Sequence, residues 1–240
     1  MTIQKNILNL YPYTFNTSTS VVNNVAVDSN NKCYIAATNC VIQVVNPLAA
    51  TNTPSITSYS GTSGISNISL QGIAIDMYNN IYVTDSGNNQ VIKLNSSTNY
   101  TTNIVSPSSL VPFTPAGLFN PAGIAVDKWG QVCVCDSQLN NNYGYTGRIV
   151  LLYMQDLTYI TTYGGSGNYN LLEPTNIAID SNNVHCIYSN TNSGSITYYD
   201  TYFNFLNQTT TNNSGSEAAM AVDANGRLVV MGLPPGSPTG

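Results

Sequence analysis

The tetrapeptide Ile73-Ala74-Ile75-Asp76 places an apolar residue on each side of a small alanine and ends in an aspartate. This pattern occurs five times, as Val25-Ala26-Val27-Asp28, Ile73-Ala74-Ile75-Asp76, Ile124-Ala125-Val126-Asp127, Ile177-Ala178-Ile179-Asp180 and Met220-Ala221-Val222-Asp223. Successive aspartates are 48, 51, 53 and 43 residues apart. A period of this size indicates stacked copies of one supersecondary unit.

Each copy of the motif is followed by a turn signal and then by further apolar segments. After the second copy, Asn79 and Asn80 precede an apolar stretch at residues 81–84, and another follows at residues 91–94. A more polar stretch at residues 100–105 completes the unit. Asparagine tolerates the positive φ of tight hairpins, so the stretches are expected to pair as neighbouring antiparallel strands. With the motif itself, each unit is therefore predicted to form four short strands.

The first strand of each unit is apolar at nearly every position, which indicates that both of its faces are buried. A β-propeller satisfies this pattern, because its inner strands crowd a central axis and its blades pack against one another. A two-sheet sandwich would instead produce a regular alternation of apolar and polar residues. We therefore predict an all-β fold, a β-propeller of five four-stranded antiparallel blades, with six blades as the alternative.

The fifth unit has two strands and then a segment rich in Pro and Gly. Apolar residues at 7–10 and 13–15 precede the first unit, and we expect them to complete the last blade and close the ring. The chain is then one domain, residues 1–240. Its predicted segments are ring-closing strands at 1–20, blades at 21–60, 68–105, 120–163 and 174–206, the first strands of the last blade at 217–232, and a tail at 233–240.

Two units resemble the NHL repeat. In one, Gly72 and the motif are followed by residues 81–91, which contain Asp85; in the other, the motif is followed by Asp136 and Arg148. The resemblance is weaker elsewhere, since Gln90 replaces the usual arginine and Tyr188 replaces the second aspartate. It implies a propeller that binds partners on one of its faces.

The long connections of the predicted propeller all emerge on one face, and long loops on a rigid scaffold often carry binding residues. Their aromatic and amide side chains suit contacts with a protein partner or a glycan. The candidate binding residues are Phe113, Phe119, Asn141, Tyr143, Tyr145, Asn168 and Tyr169. The other interpretation is that many of these aromatic side chains cover the ring.

The aspartates of the motif have a structural explanation. Each one ends a strand just before a turn, where its carboxylate is expected to accept hydrogen bonds from backbone N–H groups. The residues with this predicted role are Asp28, Asp76, Asp127, Asp180 and Asp223. Asp85 and Asp136 end second strands and are expected to hold the loops that follow.

Charge is sparse, with only 7% charged residues, six Lys and Arg, and a net charge of −5. So few cations exclude nucleic acid as a partner, because a phosphate-binding stripe needs many of them. The sequence shows no signal peptide and no transmembrane segment, which predicts no membrane insertion. The Asn-, Thr- and Tyr-rich composition favours an extracellular or particle-surface protein, such as a virion component or another assembly subunit.

These observations favour a non-catalytic scaffold that docks a protein or a glycan, with no cofactor. The alternative is a calcium-dependent hydrolase of the lactonase or esterase type, with Ca²⁺ in the channel. Glu173, Asn24 and Asn176 are the weak candidates for its ligands, since Ca²⁺ prefers carboxylate and amide oxygens. A single histidine, His185, supplies too few ligands for a zinc site built on histidines.

The five cysteines predict buried free thiols, and the alternatives are a disulfide between Cys33 and Cys40 or a metal site. An odd number of cysteines leaves at least one thiol unpaired.

Overall fold

The described part of the chain is built from β-strands. The computed structural model describes residues 22–30, 32–37, 40–44, 56–60, 68–98, 101–105, 118, 120–137, 147–164, 171–190, 194–211, 219–223 and 225–231. Within these ranges there is one 3₁₀ turn, Ser96–Thr98, and no α-helix, which confirms the predicted all-β class. The same ranges contain no helix with the length and apolar character needed to cross a bilayer.

Consecutive strands pair in antiparallel order into four four-stranded sheets and one two-stranded sheet. The first sheet comprises β1 (Val22–Val27), β2 (Cys33–Ala37), β3 (Cys40–Val44) and β4 (Ile56–Ser60). The second comprises β5 (Leu70–Ile75), β6 (Ile81–Asp85), β7 (Gln90–Asn95) and β8 (Thr101–Val105). The third comprises β9 (Pro121–Val126), β10 (Gln131–Asp136), β11 (Arg148–Tyr153) and β12 (Tyr159–Gly164). The fourth comprises β13 (Pro174–Ile179), β14 (His185–Ser189), β15 (Ser195–Tyr199) and β16 (Phe205–Thr210), and the fifth β17 (Ala219–Val222) and β18 (Leu228–Met231).

The motif aspartate organises the turn after the first strand of every sheet. In the second sheet, Asp76 Oδ1 accepts hydrogen bonds from the backbone N–H groups of Tyr78 at 2.8 Å and Asn80 at 2.9 Å. The same two contacts, to the second and fourth residues that follow, occur at Asp28, Asp127, Asp180 and Asp223. One carboxylate oxygen therefore satisfies two N–H groups in each turn.

The third residue after the aspartate has a left-handed backbone in the second, third, fourth and fifth sheets. It is Asn79 (φ 63°), Gly130 (φ 78°), Asn183 (φ 65°) and Gly226 (φ 76°), respectively. Asparagine and glycine are the residues that adopt this conformation at least cost. The turn chemistry therefore explains why these two residue types alternate at this position.

The asparagines at this position also connect neighbouring sheets. Asn79 Oδ1 accepts from the Ser29 hydroxyl at 3.0 Å, and Asn183 Oδ1 accepts from the Lys128 backbone N–H at 3.1 Å. A further hydrogen bond connects the second and third sheets: the Thr84 hydroxyl donates to the Ala122 carbonyl oxygen at 2.5 Å. The asparagine turns of the second and fourth sheets therefore contact the turn of the preceding sheet.

The inner strands β1, β5, β9, β13 and β17 lie side by side in chain order. The backbones approach so closely that no side chain fits at two positions. A Cβ placed on Gly72 would lie 2.5 Å from the Ala122 carbonyl oxygen, and one on Gly123 would lie 2.6 Å from Asn176 Cα. Glycine is required here by space.

Apolar clusters fill the interfaces between successive sheets. Tyr82, Val132 and Leu152 belong to the cluster between the second and third sheets, and Cys133, Ile187 and Phe203 to the one between the third and fourth. The first strand differs from the sequence expectation, since Val25 and Val27 of β1 are 55% and 56% exposed. The described residues therefore leave one face of β1 uncovered.

The spacing between inner strands can be tested by substitution. Replacing Gly123 with alanine forces the β9 and β13 backbones apart, and we expect it to lower the free energy of unfolding by about 1–3 kcal/mol. Gly87 is exposed and lies outside the left-handed region, so Gly87→Ala serves as the matched control and should leave stability nearly unchanged. Equal effects in urea unfolding would contradict the close packing.

Candidate functional site

Four inner strands are interrupted by a β-bulge near their first residues. The pairing register shifts between Val22 and Asn24 in β1, between Leu70 and Ile73 in β5, and between Pro174 and Asn176 in β13. The pairing of β9 with β10 shifts in the same way, between Val134 and Asp136 of β10. Bulges redirect side chains and are common beside active sites. Here they occur at the same end of neighbouring strands.

The bulges surround a cavity of about 350 Å³ at this end of the inner strands, which we call the axial cavity. Its lining comes in pairs from the four strands, with two further side chains beside β9 and β10. The lining residues are Asn23, Asn24, Gln71, Gly72, Asn120, Ala122, Gly123, Ser137, Thr175 and Asn176. None of them is charged, and five carry a side-chain amide.

The amides of the axial cavity are held by hydrogen bonds through their nitrogen atoms. Asn23 Nδ2 donates to the Leu70 carbonyl oxygen, Gln71 Nε2 donates to Ser69 Oγ at 3.1 Å, and Asn120 Nδ2 donates to Ser137 Oγ at 2.9 Å. Among the described residues, the carbonyl oxygens of these three amides have no partner. The cavity therefore presents acceptors to a ligand that donates hydrogen bonds, such as a hydroxyl group.

Two buried aspartates hold the segments that enter the cavity. Asp136 accepts from the Asn120 backbone N–H at 2.8 Å and from Arg148 Nε at 2.8 Å. Asp85 occupies the equivalent place in the second sheet, where it accepts from the Ser69 N–H at 2.8 Å and from Gln90 Nε2 at 2.8 Å. Gln90 thus substitutes for arginine.

The fourth sheet departs from this arrangement. Asp85 pairs with Gln90 and Asp136 with Arg148, and the same register position holds Ser189, paired with Ser195. The sequence prediction, which assigned Tyr188 to this position, was therefore wrong by one residue. Ser189 is buried, and its hydroxyl has no hydrogen-bond partner among the described residues. The segment before β13 consequently lacks its carboxylate anchor.

Glu173 occupies that less anchored segment. Its carbonyl oxygen accepts from the Asn190 N–H at 3.0 Å, as those of Ser69 and Asn120 accept in the other sheets, so Glu173 stands at the level of the axial cavity. Its backbone is left-handed, with φ 49°. Within the described ranges, no hydrogen bond or ion pair reaches its carboxylate. In the part of the chain that the structure describes, Glu173 is thus a carboxylate at this level that neither holds a turn nor pairs with an arginine.

Among the described residues, the three predicted calcium ligands are not gathered into one ligand set. Asn24 Oδ1 accepts from the Val25 N–H and Asn176 Oδ1 from the Ile177 N–H, both at 2.8 Å, and Glu173 is not in the cavity lining. Within the described residues, no group of three His, Cys, Asp or Glu could hold a metal ion. Neutral amides alone lack the carboxylate charge that gives calcium sites their affinity.

The remaining candidate residues fall into two groups. The loop residues predicted to bind a partner, Phe113, Phe119, Asn141, Tyr143, Tyr145, Asn168 and Tyr169, all lie outside the described residues. His185 is fully buried against Phe203, with Nδ1 3.3 Å from the Asp200 carbonyl oxygen, and burial lowers its pKa. It is a packed neutral side chain away from the axial cavity.

The thiols are unsuited to nucleophilic chemistry. Cys33, Cys133, Cys135 and Cys186 are free, which excludes the disulfide proposed for Cys33. Burial raises the pKa of the Cys133 and Cys135 thiols and raises that of Cys186 to about 11, with the nearby Asp180 carboxylate adding to the last shift. A thiol with a raised pKa holds little thiolate at neutral pH.

Comparison with solved structures shows a β-propeller fold. A catalytically inactive variant of virginiamycin B lyase from Staphylococcus aureus, determined with quinupristin, has a TM-score of 0.62 at 13% identity, covering 93% of this chain and 73% of the lyase. A gluconolactonase from Xanthomonas campestris has a TM-score of 0.63 at 13% identity, covering 88% and 69%. A putative gluconolactonase has a TM-score of 0.61 at 10% identity, covering 87% and 70%. No protein-family model and no curated protein matches the sequence.

These similarities correct the functional prediction. The similar propellers reported above are a lyase and gluconolactonases, which contradicts the predictions of a non-catalytic scaffold and of a chain that is not an enzyme. At 10–13% identity, the likeness itself shows the fold alone. The propeller itself is confirmed, whereas membership of the NHL family is not, because no family model matches. Nothing in the comparison supports a virion component.

Sequence reasoning missed Asn23, Gln71 and Asn120, which line the axial cavity. A signal was present for two of them, since Asn23 and Gln71 each stand two positions before a motif, whereas Asn120 lies four positions before its motif. The bulge that directs these residues inward is not visible in the sequence, because strand register depends on pairing.

The anchoring of Asn120 by Asp136 yields a prediction. In Arg148→Met, the buried Asp136 carboxylate loses its charged partner, and we expect the free energy of unfolding to fall by about 3 kcal/mol. Arg148→Gln should lose much less, because glutamine donates to Asp85 at the equivalent position. Arg227→Met removes an exposed pair and should leave the denaturant midpoint unchanged. If the methionine and glutamine variants at 148 behave alike, the anchoring role is refuted.

Proposed function

We propose that the chain is a propeller enzyme that hydrolyses a small, neutral, hydroxyl-bearing lactone or ester in the axial cavity. The observation that carries the proposal is the set of five uncharged amides that line the cavity at the bulged ends of the inner strands. Polar groups placed convergently in a preformed cavity are the usual sign of a ligand site. The structural likeness to gluconolactonases agrees with a sugar-derived lactone as the substrate class.

The acceptor oxygens of the cavity would bind the hydroxyl groups of the substrate. Asn23 Oδ1, Gln71 Oε1 and Asn120 Oδ1 lack protein partners among the described residues, so each can accept one hydroxyl proton. The side-chain oxygen of Asn24 already accepts from the Val25 N–H. The side-chain nitrogen of Asn24 is therefore the donor best suited to the lactone carbonyl oxygen. Together these contacts fix the ring and polarise its carbonyl group.

We assign the general base to Glu173, which lies just outside the cavity lining, two residues before the lining residue Thr175, and whose carboxylate has no hydrogen bond within the described residues. Its carboxylate would take a proton from water as the water oxygen bonds to the carbonyl carbon. The tetrahedral intermediate then collapses with cleavage of the ring C–O bond, and the proton passes from Glu173 to the departing alkoxide oxygen. Water is thereby added across the ester bond, and the carboxylate is regenerated. No step in this scheme requires a metal ion.

The kinetic test uses D-glucono-1,5-lactone and follows acid release with a pH indicator. Glu173→Gln should lower kcat by about a hundredfold or more with little change in KM, since it removes the base and leaves the cavity intact. Gln71→Leu should instead raise KM about tenfold, because it removes one hydroxyl partner. Rates in EDTA and in calcium chloride should be equal.

Three outcomes would count against this proposal. If the wild-type protein does not hydrolyse the lactone faster than the uncatalysed reaction, the proposed activity is refuted. If the Glu173→Gln variant keeps its full kcat, Glu173 is not the general base. If EDTA abolishes the rate and calcium restores it, the reaction is metal-dependent instead.

We also infer five blades and a ring closed through the last one. The exposed apolar face of β1, with Val25 and Val27, is what the fifth sheet would cover once the segment at residues 1–20 supplies its outer strands. Closure would remove the open edges that a propeller must hide.

Truncation tests this closure. Deleting residues 1–20 should lower the thermal midpoint by at least about 5 °C, because β1 then loses its apolar cover. Deleting the tail at residues 233–240 is the matched control and should change little. An unaltered midpoint in the first variant would argue against closure by this segment.

A further inference from the structure

A second cavity lies between the third and fourth sheets, at the end of β9 opposite to the axial cavity. Asn120 precedes β9 and lines the axial cavity, whereas Trp129 follows β9 and lines the second one. We call this second space the aromatic cleft. It has a volume of about 380 Å³, and its other wall is the turn between β15 and β16, with Thr201, Tyr202 and Phe203.

The walls of the aromatic cleft are large exposed rings beside a stacked pair, in which Phe203 is buried and Tyr163 is partly exposed. Trp129 is 49% exposed and Tyr202 is 74% exposed, and their ring centroids lie 6.2 Å apart with an interplanar angle of 32°. Beneath them, Tyr163 stacks on Phe203 at 4.3 Å and 9°. Rings from two different sheets thus form one aromatic surface that opens to solvent.

The rigidity of this surface comes from the turn that carries Tyr202. Asp200 Oδ1 accepts from the N–H groups of Tyr202 and Asn204, both at 2.8 Å, which repeats the turn made by the motif aspartates. The third residue of the turn, Phe203, is held left-handed at φ 61° and is buried. Tyr202 is therefore an exposed ring on a fixed backbone.

The polar part of the lining is neutral. Gln131, Thr161 and Thr201 supply an amide and two hydroxyl groups, and no lining residue is charged. The Lys128 ammonium lies 5.2 Å from the Trp129 ring centroid, so a second cation in the cleft would be repelled. A neutral ligand with one apolar face and a hydroxylated edge complements this combination of flat rings and hydrogen-bonding groups.

We propose that the aromatic cleft binds a pyranose ring of a neutral saccharide, stacked on Tyr202 and Trp129. This site is separate from the axial cavity and does not depend on catalysis there. It would hold a sugar unit on the opposite face of the propeller, so that a glycosylated surface or polymer and the axial substrate can be bound together.

The fluorescence of the protein reports on this site directly, because Trp129 is the only tryptophan in the chain. We would titrate the full chain with maltose, cellobiose, lactose and the methyl pyranosides of glucose and galactose, up to 50 mM, and record emission and iodide quenching. At least one saccharide should change the emission saturably and protect Trp129 from iodide. Choline chloride is the probe for a cation-binding alternative.

Two variants make the result specific. Tyr202→Ala should raise the saccharide Kd about tenfold or more, since it removes the most exposed ring. The axial variant Gln71→Leu should leave the titration unchanged, so that failure of the lactone assay and failure of the cleft can be told apart. The proposal is overturned if no saccharide gives a saturable change, if Tyr202→Ala binds like the wild type, or if choline alone alters the emission.

Discussion

The rest of the structure depends on the close approach of neighbouring inner-strand backbones. At Gly72 and Gly123 there is no room for a Cβ, and the small alanine of each motif follows two residues further along. All four inner strands of the four-stranded sheets also bulge at the same level. Side-chain amides at these strand ends line the axial cavity. The close approach of the backbones and the lining of the axial cavity therefore occur at the same ends of the inner strands.

The regular turns let the chain repeat this arrangement. An aspartate satisfies two backbone N–H groups, and the left-handed residue that follows is either asparagine, which also contacts the preceding sheet, or glycine. The two ends of an inner strand thus serve different purposes. One end is fixed by the aspartate turn and carries the exposed Trp129, and the other is bulged and faces the axial cavity.

Much of the fold was predictable from the residues, because the motif aspartates and the turn asparagines act locally. The strands of the second sheet follow directly from the apolar stretches around Asp76, Asn79 and Asp85. The site was less accessible, since the inward direction of Asn23 and Gln71 arises from a bulge, which depends on pairing with another strand. The Ser189 position was misassigned for the same reason. The functional prediction favoured a scaffold because the long loops and the NHL-like repeats suggested partner binding, whereas the similar solved propellers reported above are a lyase and gluconolactonases.

The central claim is that the bulged strand ends hold a neutral hydroxylated ligand on the axis. A crystal structure of the Glu173→Gln variant soaked with D-glucono-1,5-lactone tests it most directly. Our account predicts density for the ligand within hydrogen-bonding distance of Asn23 Oδ1 and Gln71 Oε1, next to residue 173. An axial cavity filled by side chains of the chain itself, with the lactone absent from it, would contradict the account.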